Sequence, residues 1–336
     1  MNYRILGKTG LRPSVIGFGG IPIQKLNIEE IKEIFFEAQE QGINFLDSAR
    51  TYTISEEAIG EAIKGHRNKW IIATKSRARD FSSMEKDIVI SLSNFKTEYI
   101  DLYQLHNVRT EADYEKTMSE NGAYKALMSS KEKGQIGHIG ITTHSLDMLR
   151  IFIESGNFET IMYPYNIVET EALDLFKRAK ELNIGVIAMK PMAGGALTKA
   201  TVAMKFILEN QDISVVIPGM ASIKEVKENA IVGNKFISLT LKEREEALED
   251  AKKLGDKICR GCGYCAPCPV EIDIPGCFLF KGYKDRYDLS LWAENNYFSQ
   301  ETRGKDCVQC GACEKRCPYG LPIRNMLKEV RKTFNE

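Results

Sequence analysis

The sequence predicts a (β/α)₈ TIM barrel followed by a smaller, cysteine-rich domain. Three observations carry that reading. Short apolar or β-branched runs alternate with helix-like segments eight times within about the first 240 residues. Strict alternation implies parallel strands joined by crossovers, and eight units in that length suit a closed barrel better than an open doubly wound sheet. All nine cysteines fall in the last quarter of the chain, none before position 259, so two different modules share it.

Residues 3–19 hold apolar stretches broken by Gly7, Gly10 and Pro13, a hairpin leading into a first strand over 14–18. Asn27, with Glu30 three residues on, is a candidate N-cap. Ile28, Ile31, Phe35 and Ala38 then recur at helical spacing, and Gly42 marks the stop. The same grammar repeats. Strands are expected near 43–47, 70–74, 100–105, 136–141, 159–163, 184–189 and 213–217, with helices near 55–64, 82–96, 121–133, 145–155, 169–182, 198–209 and 222–232. Thr240 and Glu243 form a capping-box pattern before a charged helix that ends at Gly255. At 1.5 Å per residue it reaches roughly 20 Å, enough to carry the chain along the barrel wall. The expected division is barrel 1–240, connecting helix 241–256 and cysteine-rich domain 257–336.

Composition narrows the function. Lys plus Arg equals Asp plus Glu at 46 each. A nucleic-acid partner usually leaves a basic excess, so none is expected. No charged n-region precedes an apolar h-region at the N-terminus, and no run of about 18 apolar residues occurs, so neither a signal peptide nor a membrane span is expected. A soluble cytoplasmic protein follows from these features.

The cysteines form two runs, Cys259-Arg-Gly-Cys262-Gly-Tyr-Cys265-Ala-Pro-Cys268-Pro and Cys307-Val-Gln-Cys310-Gly-Ala-Cys313-Glu-Lys-Arg-Cys317-Pro. The second resembles the C-x₂-C-x₂-C-x₃-C-P run of bacterial ferredoxins residue for residue. Three closely spaced thiolates wrap one cubane, and the fourth is directed to the other cluster. The resemblance implies a small α-helical ferredoxin-like domain with two [4Fe–4S] clusters. Cys259, Cys262, Cys265 and Cys317 would hold one, and Cys307, Cys310, Cys313 and Cys268 the other. The first run is one residue short before Cys268, so its turn is tighter and the pairing of Cys268 and Cys317 stays open. Zinc is the plainer alternative, since C-x₂-C pairs also build Zn(Cys)₄ sites. Cys277 reads as a buried small hydrophobe.

In a barrel of this kind, reacting groups sit at the C-terminal ends of strands. The second strand ends in Asp47, followed by Tyr52; the third ends in Lys75 and the fourth in His106. Singly, these read as a turn residue, a packing aromatic, a solvated charge and a structural histidine. Together they resemble the aldo-keto reductase tetrad. The resemblance spans about residues 3–232, including Tyr3-Arg-Ile-Leu-Gly-Lys-Thr-Gly10, Ser55-Glu-Glu-Ala-Ile-Gly60, Pro164-Tyr-Asn166 and Ile217-Pro-Gly219. A carbonyl reduced by hydride needs a proton at its oxygen. Tyrosine alone has a pKa near 10, and a lysine ammonium beside it is expected to lower that value. Asp47 would hold Lys75, and His106 would orient the carbonyl.

The resemblance thins where the family grips its nicotinamide. Met162 stands where Gln is usual, Thr142-Thr143 where Ser-Asn is usual, and Met189-Lys190 where an aromatic residue often stacks. Gly219, Met220 and Glu225 replace the Lys, Ser and Arg that bind the NADP 2′-phosphate. Asn229 matches the adenine-binding position. Thr142, Lys190 and Asn229 are the candidate cofactor contacts, with NAD(H) favoured over NADP. A flavin is the remaining cofactor alternative, although the sequence carries no recognisable flavin motif. Lys190, Arg77 and Arg79 are further candidates for anion contacts. The expected function is an iron–sulfur oxidoreductase acting on a small carbonyl or alcohol, with a redox partner protein. The alternative is a redox-sensing or electron-carrier module with little turnover.

Overall fold

A computed structural model describes residues 1–255 and 257–336. Its eight strands are β1 (Phe18–Gly19), β2 (Phe45–Asp47), β3 (Ile71–Ser76), β4 (Ile100–Leu105), β5 (Ile136–Thr142), β6 (Thr160–Pro164), β7 (Gly185–Met189) and β8 (Val215–Val216). They pair in sequence order, every pair parallel. Bridges from Ile16 to Val216 and from Gly19 to Gly219 close β8 onto the first strand. The result is the expected (β/α)₈ barrel. The first strand is shorter than predicted, because Ser14 pairs backward with Tyr3 in the N-terminal hairpin. Leu6 of that hairpin packs into the barrel interior from the N-terminal end.

The surrounding helices are α1 (Ile28–Glu40), α2 (Ser55–Ala62), α3 (Phe81–Asn94), α4 (Glu111–Met118), α5 (Ala123–Glu132), α6 (Leu146–Glu154), α7 (Leu173–Glu181), α8 (Ala200–Leu208) and α9 (Ile223–Asn234). The Asn27–Glu30 capping box is formed in both directions. Helix α4 was not anticipated. It is short and polar, with Thr110 as its cap, and it offers little apolar periodicity. Helix α7 starts later than predicted, since Asn166 accepts from the Val168 and Glu169 amides and holds that stretch as a turn.

Helices α2 and α3 pack closely at Gly60. A Cβ there would lie 2.2 Å from Asn94 O and 2.7 Å from Phe95 Cα, both backbone atoms that cannot step aside. Gly60→Ala is expected to lower unfolding stability by about 1–3 kcal/mol, as read by urea denaturation.

Beyond the barrel run α10 (Leu241–Leu254), α11 (Ile274–Tyr287), α12 (Ser290–Phe298), α13 (Ala312–Arg316) and α14 (Ile323–Thr333). The predicted connecting span 241–256 ends on Asp256, which lies outside the described residues. Ala247 and Ala251 of α10 pack on Ile167, and Glu243 accepts from Lys205 of α8 at 2.8 Å. The last helices share their own core, in which the Tyr297 and Phe334 rings stack at 3.9 Å. This helical unit sits over the C-terminal mouth of the barrel. Arg286 donates to Gly194 O (2.6 Å), Tyr264 to Asp147 (2.7 Å) and Lys25 to Tyr287 O (3.0 Å).

Candidate active site

The period of two along a strand builds the site in layers. Phe45, Ala73, Leu102 and Ile187 point inward and form an apolar floor with Met162 and Val215. Two residues further on, the same faces carry Asp47, Lys75, Gln104 and Met189. Asp47 and Lys75 are almost fully buried. The Lys75 ammonium donates to Asp47 Oδ2 and, at 2.8 Å, to Ser48 O; Gln104 Nε2 donates to Asp47 Oδ1 at 3.2 Å. Burial pushes both members of the pair toward neutrality, Asp47 upward and Lys75 downward, against the attraction between them.

Tyr52 and His106 stand above this pair. The loop carrying Tyr52 is fastened by a Ser48–Ser55 hydroxyl contact (2.8 Å) and by Ser55 Oγ donating to Gly20 O (3.0 Å). The Lys75 ammonium lies 5.0 Å from the Tyr52 ring centroid. The Tyr52 and His106 rings meet edge to face at 6.1 Å. His106 follows β4 directly, and Arg79 donates to its carbonyl at 2.9 Å. Its buried Nδ1 has no partner. Burial, then the charges of Arg77, Lys75 and Arg79, hold its pKa well below the ordinary imidazole value, so the ring is neutral.

The expected lowering of the Tyr52 pKa by Lys75 is reversed. Burial, followed by the Asp47 carboxylate, holds the phenol well above its ordinary value. Burial of the phenol outweighs the nearby Lys75 ammonium in the resting site.

All four residues line one cleft of about 740 Å³, which also takes in Thr142, Lys190 and Asn229. Thr142 Oγ1 accepts from the Asn107 amide at 2.7 Å. Asn229 is buried with an unpartnered Oδ1. Lys190 is partly buried and adopts a left-handed backbone (φ 55°). Met220 is fully buried, and Glu225 accepts from the Ala221 amide at 2.6 Å while lining the cleft.

The two cysteine runs lie against each other. Cys268, Cys307, Cys310 and Cys313 line one small cavity. Cys259 lies within charge range of Cys262 and Cys317, and Cys265 within range of Cys259, Cys262 and, from the second run, Cys313. Arg316 ties the runs together by donating to Cys265 O at 2.7 Å. Among the described residues no three His, Cys, Asp or Glu side chains group as ligands of one ion. Cys277 is fully buried against Gln300, its thiol pushed up to about 12 by burial.

The aldo/keto reductase family profile matches residues 15–202, more than half of the chain. The chain belongs to the aldo/keto reductase family. It is an oxidoreductase, and its residues 258–322 match the 4Fe-4S dicluster domain. L-galactose dehydrogenase of Arabidopsis thaliana is 30% identical over 310 residues, covering 76% of this chain and 96% of its own. The aldo-keto reductase YhdN of Bacillus subtilis is 28% identical, covering 63% and 68%. Among solved structures, the holo form of an aldo-keto reductase from Bacillus halodurans superposes with a TM-score of 0.64 at 25% identity, covering 76% and 96%.

Against that family frame, several cleft residues were not singled out from the sequence. Gln104 shares the inward face of His106, so the strand's own alternation signals it. Tyr283, Arg286 and Tyr287 of α11 line the cleft from above, as does Cys259. No local pattern signals these, because they meet Tyr52 only through the placement of the helical unit on the barrel.

Proposed function

We propose that this oxidoreductase interconverts a small carbonyl compound and its alcohol, with electrons passing through two [4Fe–4S] clusters. One observation carries the reading: Cys259 lines the same cleft as Tyr52 and His106. Cys310 and the neighbouring Val308 are exposed, a surface suited to a redox partner protein. The Arabidopsis relative, named as a dehydrogenase of a sugar, supports the alcohol-to-carbonyl direction.

Neutral His106 donates a hydrogen bond that orients and polarises the substrate carbonyl. Tyr52 holds its proton until negative charge develops on that oxygen, then delivers it from Oη. Lys75, fixed by Asp47 and Ser48 O, stabilises the resulting tyrosinate. Gln104 steadies Asp47. Tyr283 and Tyr287 cover the cleft and exclude water.

The two cysteine sets fit two cubanes, which would supply electrons one at a time. Joining them to the two-electron carbonyl–alcohol step calls for a species stable in the one-electron state, such as a flavin or a radical of the substrate. The buried, unpartnered Oδ1 of Asn229, with Thr142 and Lys190, fits a nicotinamide dinucleotide, which would supply a hydride. Glu225 in the cleft would repel a 2′-phosphate, which favours NAD(H).

Anaerobic purification with iron, sulfide and nucleotide analysis tests the reading. Brown protein with about eight irons per chain is expected for two [4Fe–4S] clusters. Cys317→Ser should perturb the cluster held by the first run, read by electron paramagnetic resonance. A colourless, zinc-loaded protein overturns the cluster assignment.

A further inference from the structure

The chain is electrically neutral, yet its cleft is lined by more cations than carboxylates. Most of those cations are engaged. Lys75 is paired with Asp47, and Arg260 with Glu171. Arg109 reaches Asp273 at 3.7 Å. Arg286 and Lys25 donate to backbone carbonyls that pin the helical unit to the barrel.

Arg77 differs. It lines the cleft and is exposed within it. Its neighbours along the chain and across the strand ends are held: Arg79 donates to His106 O and Asn107 O, and Arg50 pairs with Glu56 and Asp87. Among the described residues the Arg77 guanidinium makes no ion pair and no hydrogen bond. Its backbone is fixed, since Arg79 donates to Arg77 O at 3.1 Å and the Ala78 amide donates to Ser76 Oγ at 2.9 Å. The free guanidinium therefore stands on a rigid strand end. Its charge is felt by both Tyr52 and His106.

A guanidinium presents a planar fork that matches a carboxylate with two parallel hydrogen bonds. Neutral His106 leaves the charge of an anion to Arg77 and is itself free to meet a carbonyl. The cofactor candidates lie elsewhere. Arg77 follows β3 and Lys190 follows β7, four strands apart in an eight-stranded barrel and so on opposite sides of the mouth.

We infer that the substrate is an oxo acid or the matching hydroxy acid, with its carboxylate on Arg77 and its reacting carbon beneath Tyr52 and His106. This inference rests on the carbonyl–alcohol reading above and names its substrate class.

The test is calorimetric binding to the anaerobically purified full chain. The probes are 2-oxo acids of three to six carbons, each paired with its methyl ester. Wild type should bind the best acid at least about tenfold more tightly than its ester. Sodium chloride should weaken the acid and spare the ester, since it screens an exposed charge pair. Arg77→Gln should lose about tenfold for the acid and keep the ester within about twofold, with an unchanged melting temperature. Arg77→Lys should recover part of the loss. Tyr52→Phe should lose turnover but keep the preference for the acid, which separates the two readings. Equal binding of acid and ester by wild type, or an Arg77→Gln variant that keeps the preference, overturns the carboxylate site and leaves carbonyl chemistry standing. Failure of every acid and ester to bind wild type overturns both.

Discussion

Tyr52→Phe should lower kcat for carbonyl turnover by about 10²–10⁴-fold, the usual contribution of a positioned general acid, while the protein stays folded. The hydroxyl makes no hydrogen bond to the protein among the described residues, so its removal leaves no partner unsatisfied. The ring, only 8% exposed, keeps its packing beside His106 and Lys75. Stability should therefore hold within about 0.5 kcal/mol. Burial keeps the phenol protonated well past its ordinary range. The wild-type rate should accordingly show no loss from tyrosine ionisation up to pH 10. Steady-state kinetics across that range, alongside thermal denaturation of both proteins, checks the prediction. Turnover within threefold of wild type would remove Tyr52 from the chemistry.

The parts of this molecule that were legible in the sequence are those set by local periodicity. Alternating side chains on each strand place Asp47, Lys75 and His106 on one inward face. The Asn27 and Thr240 boxes mark helix starts because a side-chain oxygen must answer orphan amides there. Helix α4 escaped because its polar turns carry no apolar stripe. The electrostatic balance at Tyr52 escaped for a different reason: a lysine nearby lowers a phenol's pKa only where burial does not outweigh it, and how deeply Tyr52 is buried depends on the assembled fold. The roof of the cleft lies furthest from local inference. Tyr283 follows Tyr52 by more than 200 residues, and its position depends on contacts such as Arg286 with Gly194 and Tyr264 with Asp147.

Lys75→Met should lower stability by about 3–5 kcal/mol, because it strips a buried carboxylate of its counter-charge. Gln104 alone would then answer Asp47, at 3.2 Å. The double variant Asp47→Leu/Lys75→Met removes both charges and should regain most of that loss, since an apolar pair can replace a buried ion pair. Turnover should stay low in both, as neither keeps an ammonium beside Tyr52. The contrast between regained stability and unrecovered activity separates the pair's two roles, and a double-mutant cycle yields their coupling. The sign of the pH dependence gives an independent check. Burial already raises Asp47 above its ordinary 3.8 in the folded protein, and losing Lys75 raises it further. A folded-state pKa above the unfolded one means the folded state binds more protons between the two values. In the Lys75→Met variant, stability should therefore fall as pH rises from about 4 through the raised pKa. The penalty relative to wild type should shrink on acidification, as Asp47 takes up the proton that replaces the lysine. Urea denaturation at pH 5 and pH 8 measures this, and a penalty that does not shrink at pH 5 would show that Asp47 is not the buried charge responsible.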